Sequence, residues 1–311
     1  MKLSIIAPIY GVEKYIREFA ESLFSQTEGK EVEYVFVNDC TKDESVVVLT
    51  EVIEEYPSLK EQIHIYTHTE NKGLAAARLT GLNYATGDYV WFVDSDDRIM
   101  SGAVKQLMNI INDGVDYDVV WFSAVWENDK AKIRNKVTPQ NLLTTVTWHN
   151  LWSCILKRVF LYDNEILPVP GLNFGEDRIM TARVLCVAKK QIQIEDALYF
   201  YRLGNEFSYS NTVKPQSLLQ DAEGVLIISE YYDKHYSKSD CKIAHFINNA
   251  FRYYNIKEFE GAEFDEMRKK LSSNMFKYST IFSLLFFLLG KISSKCQIKS
   301  VYYMRNIFVG K

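Results

Sequence analysis

The feature that most constrains this chain is an alternation. Within the first hundred residues four apolar stretches, "LSIIAPIY", "VEYVFVND", "QIHIYTH" and "DYVWFVDSDD", are separated by three stretches of helical character. The first of these, "VEKYIREFAESLFSQ", sets Tyr15, Ile16, Phe19, Leu23 and Phe24 at helical spacing, and "SVVVLTEVIEEY" and "LAAARLTGLNYA" supply the others. A strand that is apolar along its length is buried on both faces, and intervening helices let consecutive strands run parallel. The expected fold is α/β: a mostly parallel sheet flanked by helices. Ligands of such sheets gather at the carboxyl ends of the strands. Three polar clusters fall there: Pro8–Tyr10, Asn38–Asp39 and Asp94–Asp97.

Beyond residue 118 the pattern is mixed, with the strand-like "VVWFSAVW" and a helix through "RIMTARVLCVAKK", and residues 215–276 read as mainly helical. The plan is therefore a sheet domain over 1–212, a helical extension over 213–276 and a basic, aromatic-rich tail over 277–311. The opening "MKLSIIAPIYG" reads as a first strand, not a signal peptide. Five scattered cysteines without metal-like spacing suit a reducing compartment.

Charge is unevenly placed. The net value is −4, yet the tail carries six basic residues (Lys277, Lys291, Lys295, Lys299, Arg305, Lys311) and no acidic one, which leaves −10 on the rest. An acidic body with a basic tail argues against nucleic acid and for an anionic membrane surface. "IFSLLFFLL" is nine residues, far short of the ~20 needed to span a bilayer. After it, Ile298, Val301, Tyr302, Arg305 and Phe308 recur at the spacing of an interfacial helix.

The sharpest local feature is "YVWFVDSDD", a buried strand that runs into Asp94, Asp96 and Asp97. Like charges so close call for a positive partner. Mg²⁺ or Mn²⁺ would serve, because hard cations take oxygen ligands and accept one or two carboxylates when a diphosphate completes the shell. The alternative is a solvated turn in which Asp97 caps the next helix. Asp39, after the second strand, is either an acceptor for the imide N–H of uracil or an ordinary cap. In "ENKGLAAAR" a turn feeds a helix whose N-terminus and Lys72 can face an anion, while Arg78 reads as a solvated helical residue.

Five segments in order carry a resemblance: "SIIAPIYGVEKYI", "VEYVFVNDCTKDES", "ENKGLAAARLTGLNYATGDYVWFVDSDD", "NFGEDRIMTARVL" and "EDALYFYRLGNEFSYS". Together they resemble glycosyltransferases of family 2, which have the GT-A nucleotide-sugar fold. Two positions depart from that pattern. Asn38 stands where the family often has the first of two aspartates, and Cys40 where a small residue or glycine is common. The resemblance implies inverting transfer of a sugar from a UDP-sugar. Pro8, Tyr10, Asp39, Lys72, Asp94 and Arg202 would form the donor site, and Asp96, helped by Asp94, would hold Mg²⁺ or Mn²⁺. Asp177 would be the general base, beside Glu176 and after the turn-permitting Gly175. Glu176, Trp152 and His149 are acceptor-side candidates, although His149 suits ordinary packing better and Trp152, like Trp148, suits the core equally well. Lys157–Arg158 reads as a surface pair. Members of this kind often extend a polyprenyl-diphosphate-linked glycan, which implies a cytoplasmic enzyme peripheral on the inner face of the membrane. Two other readings are a sugar-nucleotide pyrophosphorylase and a non-catalytic nucleotide-sugar-binding subunit. The first would want a glycine-rich, arginine-containing loop after the first strand, and "PIYGVEKYI" is not one.

Overall fold

The structure is a computed structural model, described here for residues 1–26, 31–127, 150–203, 214–236, 238–279, 281–284 and 286–287. Among the described residues two compact units are present, one formed by 1–127, 150–173 and 188–203 and the other by 174–187 and the residues from 214 onward.

The first unit realises the alternation. β1 (Leu3–Ile9), α1 (Ile16–Phe24), β2 (Val32–Asn38), α2 (Ser45–Glu55), β3 (Ile63–Thr67), α3 (Leu74–Tyr84) and β4 (Tyr89–Phe92) follow in order. β1 pairs in parallel with β2 and with β4, and β2 in parallel with β3. β1 and β4 are buried at every position, as strands covered on both faces must be, whereas β3 at the edge is only partly buried. After β4 the regularity ends. β5 (Arg98–Ile99), α4 (Ala103–Ile111), β6 (Val119–Trp126), β7 (Cys154–Lys157), α5 (Arg158–Asp163) and β8 (Gln191–Tyr201) complete the sheet in the order β3-β2-β1-β4-β7-β6-β8-β5. β7 is antiparallel to both β4 and β6, so it joins the parallel half to the mixed half.

The core below the sheet is aromatic. Phe19 and Phe24 of α1 meet Phe36 and Tyr34 of β2 edge to face, with centroids 6.4 and 5.2 Å apart, and Trp91 meets Phe122 the same way at 5.3 Å. At the amino ends of β1, β2 and β4 lies a buried carboxylate, Glu33. It accepts from Ser4 Oγ (2.5 Å), Thr86 N (2.6 Å), Thr86 Oγ1 (2.7 Å), Gly87 N (3.2 Å) and the Lys2 ammonium.

The second unit holds α6 (Glu176–Val187), α7 (Pro215–His235), α8 (Lys238–Ile256) and α9 (Ala262–Tyr278). Leu219, Ala222, Ile256, Phe264, Met267 and Leu271 form one apolar cluster, and Phe246, Ile247, Ala250, Met275 and Phe286 a second. Among the described residues no helix is long and apolar enough to cross a membrane. Most of the basic tail, residues 288–311, lies outside the described residues, as do His149 and Trp148.

Candidate functional site

The three polar clusters of the sequence meet at the carboxyl ends of β1, β2 and β4. Asp39 follows β2 directly, and both its oxygens are engaged. Oδ1 accepts from Lys72 N (2.8 Å) and from His68 Nδ1 (2.7 Å), and Oδ2 accepts from Gly73 N (2.7 Å). An ionised carboxylate only accepts, so Nδ1 of His68 donates to it, and the other ring nitrogen, Nε2, pairs with Thr80 Oγ1 at 2.9 Å. Asp39 therefore caps the entrance to α3, and Lys72 contributes its backbone N–H while its side chain is exposed. A carboxylate offers about four acceptor positions, so one on Oδ2 remains for a ligand N–H. The departures at 38 and 40 have physical explanations. Asn38 Oδ1 accepts from Thr41 N at 2.9 Å, a task that needs an oxygen and not a charge. Cys40 has φ +57°, the left-handed region that favours glycine.

β1 contributes Pro8 and Tyr10. Pro8 is buried within the strand, and its carbonyl accepts from Ser95 Oγ at 2.6 Å. β4 pairing ends at Ile6–Phe92, so the N–H that proline lacks has no ladder partner to disappoint. Tyr10, the next residue after the strand, is exposed.

The turn after β4 answers the question of the positive partner, and one answer corrects the sequence reading. Arg78 is not a solvated helical residue. It is 1% exposed, and its guanidinium donates to Asp94 Oδ1 at 2.6 Å. Its neighbours on α3, Ala75, Ala76, Ala77, Gly81 and Leu82, are small or apolar and buried, which leaves no wet face for it at that position. A second cation, Arg202, closes the other side. Its backbone N–H donates to Asp97 Oδ1 (2.7 Å), Nε to the Asp96 carbonyl (2.8 Å) and its guanidinium to Glu18 Oε2 (2.5 Å). Asp97 does not cap a helix. It is buried and accepts the Tyr199 hydroxyl at 2.6 Å, while that hydroxyl accepts from Asp94 N at 3.1 Å. Burial, then the charges of Asp96 and Asp94, push the Asp97 carboxyl well above the usual range. Burial and then the charges of Asp97 and Asp94 raise the Tyr199 hydroxyl too.

Among the described residues no three His, Cys, Asp or Glu side chains form a complete metal cage. The donor set fits the incomplete site that Mg²⁺ or Mn²⁺ makes with one or two carboxylates and a diphosphate. Asp94 and Asp96 add repulsion to the burial that raises Asp97, and a cation beside them would offset that repulsion.

Trp152, one of the acceptor-side candidates, belongs to the core. It is 2% exposed, stacked on Tyr199 at 4.6 Å and on Tyr201 at 5.5 Å, with no face left for a sugar. Lys157 and Arg158 lie by the amino end of β4. Lys157 pairs with Asp116 (2.6 Å) and Arg158 Nε donates to the Gly87 carbonyl (2.7 Å).

In the second unit, Glu176 and Asp177 occupy the first turn of α6, where carboxylates complement the helix dipole. Gly175, with φ +77°, makes the turn into the helix. Glu176 is buried and Asp177 partly so.

A mostly parallel sheet with carboxylates at its carboxyl ends defines the class as a GT-A-like nucleotide-sugar fold. The family model for "Glycosyl transferase family 2" matches residues 4–168, more than half of the 311-residue chain. The chain belongs to that family. Glycosyltransferase GlyA of Streptococcus pneumoniae serotype 4 is 31% identical over 222 residues, covering 65% of this chain and 30% of GlyA. The poly(ribitol-phosphate) beta-N-acetylglucosaminyltransferase TarS of Staphylococcus aureus is 26% identical over 267 residues, covering 83% of this chain and 46% of TarS. The chain thus spans less than half the length of these relatives. The crystal structure of S. aureus TarS 1–349 in complex with UDP-GlcNAc superposes with a TM-score of 0.62 at 22% identity, covering 88% of this chain and 89% of that one. The mannosyltransferase PcManGT of Pyrobaculum calidifontis, in complex with GDP-Man and Mn²⁺, gives 0.56 at 14% identity over 99% of this chain and 86% of that one.

Proposed function

We propose that this chain is an inverting glycosyltransferase that moves a sugar from a UDP-sugar to a hydroxyl of a cell-surface glycan. The observation that carries the reading is the Asp94–Asp96 turn, held by Arg78, Arg202 and Tyr199 at the strand ends where this family's fold takes its donor. Asp39 would accept the uracil imide N–H on its remaining acceptor position, with Pro8 and Tyr10 beside the base. Asp96 and Asp94 would hold Mg²⁺ or Mn²⁺, and Lys72 and Arg202 would add positive charge for the diphosphate. The bound cation supplies Lewis-acid stabilisation of the departing UDP. The leaving group being good, the remaining chemical need is one base to take the acceptor's proton. Asp177 fills that role, with Glu176 on the acceptor side.

TarS is named for poly(ribitol-phosphate), and the relative GgaB of Bacillus subtilis for minor teichoic acid biosynthesis. These names support an anionic, phosphate-containing polymer as acceptor; a polyprenyl-diphosphate-linked glycan is the acceptor the family resemblance implies. We place the protein in the cytoplasm, peripheral on the inner face of the membrane. Ile281 (77% exposed) and Leu284 (59%), near the start of the basic tail, present apolar side chains to solvent, while Phe286 packs inward.

Calorimetric titration of UDP, GDP and CDP, each with and without Mn²⁺, tests the donor site. Metal-dependent binding of UDP alone is expected; preference for GDP would overturn the base reading, and no binding at all the donor site itself. Asp177→Asn is expected to lower turnover about 10³-fold with UDP affinity unchanged. Loss of UDP binding in that variant would remove Asp177 from the role of base.

A further inference from the structure

The helix that carries Asp177 is held along its length by another helix, α7, which begins 28 residues after α6 ends. Phe174 N, at the entrance, donates to Gln220 Oε1 at 3.0 Å. Further along, the Tyr232 and Tyr236 hydroxyls donate to the carbonyls of Ala182 (3.1 Å) and Cys186 (2.7 Å). Between these points the helices touch: a Cβ at Gly224 would stand 2.9 Å from Ile179 Cδ1.

At the first turn the link is ionic. Asp221 of α7 lies between two guanidiniums, pairing with Arg178, the residue after Asp177, and with Arg252 Nε of α8 at 3.0 Å. Arg178 also donates to the Asp221 carbonyl at 3.3 Å. Asp221 and Arg252 are both buried. Burial works against the Asp221 carboxylate, yet the charges of Arg252 and Arg178 hold it below the usual range. For Arg252, burial and then the like charge of Arg178 bring the guanidinium down to about 10. Gly175 lies close against the cluster, since a Cβ there would sit 3.2 Å from Arg178 and 3.6 Å from Asp221. Buried ion clusters are inefficient stabilisers, and apolar replacements often do as well or better. What a carboxylate between two guanidiniums gives is direction: hydrogen bonds of fixed geometry that allow one placement of the turn.

We propose that Asp221, with Arg178 and Arg252, is a positioning residue that fixes the first turn of α6 and through it the carboxylate of Asp177; this rests on Asp177 acting as the base. The C-terminal helices are in that case part of the catalytic apparatus without touching the reacting atoms.

The test compares the parent with Asp177→Asn, Asp221→Asn and Arg252→Lys. UDP calorimetry counts binding-competent molecules, and UDP release from UDP-N-acetylglucosamine, or from whichever UDP-sugar is turned over, gives kcat and donor KM per competent molecule. Asp221→Asn is expected to lose about 30- to 100-fold in kcat, the scale of a small misplacement of a reacting group, with donor KM and UDP affinity unchanged. Arg252→Lys, which keeps the charge but loses the fork, is expected to lose less. Should Asp221→Asn not fold, Arg252→Lys carries the test with the same readouts. Parental kcat in the folded variants, or a fall in kcat matched by a rise in donor KM, would overturn the clamp while Asp177→Asn stays inactive. An active Asp177→Asn would overturn the base assignment, and the clamp's purpose with it.

Discussion

One sheet carries buried carboxylates at both its ends, and the two ends treat them in opposite ways. At the amino end Glu33 is surrounded by donors. Burial pushes its carboxyl up, but Lys2, Ser4 and Thr86 more than offset this and hold it at about 2. At the carboxyl end Asp97 has two donors, Tyr199 and the Arg202 N–H, and two carboxylate neighbours, and its carboxyl is pushed up. The first network is complete and can serve only the fold. The second sets carboxylate beside carboxylate, so its members repel one another as well as being held. A buried polar group that is fully satisfied marks architecture; one whose satisfaction awaits a ligand marks function.

Three substitutions probe this contrast. Arg78→Met has the largest expected effect, because it strips Asp94 of its buried counter-charge: a loss of about 3 kcal/mol, read by denaturant unfolding. Mn²⁺ is expected to raise the Tm of this variant more than that of the parent; equal shifts would mean that the Asp94 turn is not where the cation acts. Glu33→Gln is expected to cost about 2 kcal/mol after allowance for solvent around its partner Lys2, with UDP binding untouched. The sign follows from the depressed folded value. Glu33 contributes fully above pH about 4.5 and loses its contribution as pH falls from there towards about 2. The gap between parent and variant, measured by urea unfolding along that range, should therefore close towards acid; a constant gap would mean that the charge of Glu33 is not what stabilises. Tyr199→Phe is the mildest in stability, about 1 kcal/mol, but it frees the Asp94 N–H and the Asp97 carboxylate together. Weaker Mn²⁺-dependent UDP binding is expected, and unchanged binding would show that the turn keeps its shape without the hydroxyl.

Legibility in the sequence followed chain distance. The strands of the parallel half were readable because each is apolar over its own few residues, and the Asp94–Asp97 knot because its members are adjacent. Arg78 was misread although a local signal existed: the residues one turn to either side of it on α3, Leu74, Ala75, Gly81 and Leu82, are small or apolar. Tyr199 carried no such signal. Its role comes from a strand that meets the turn after β4 some hundred residues earlier. His68 carried no signal either, because its use, to bridge Asp39 and Thr80, depends on the fold. The Arg178–Asp221–Arg252 cluster was equally invisible, being assembled from three helices separated by 43 and 31 residues. Glu176 and Asp177 were singled out through family resemblance; their spacing alone suggests only a helix start.

The pairing of α6 with α7 has a consequence for the order of events during synthesis. By the time β8 leaves the ribosome, every strand of the sheet exists, and so do Asp39, Asp94, Asp96 and their partners. α6 has been made by then, but the helix that backs it has not. Ile179 has no Gly224 to lie against, and Arg178 no Asp221 to grip. On the proposed reading, a nascent chain at that stage already has the residues of the donor face, while Asp177 still has no fixed orientation. The last third of the chain would then act as a delay: holding a donor would come early, and using it would wait for α7 and α8.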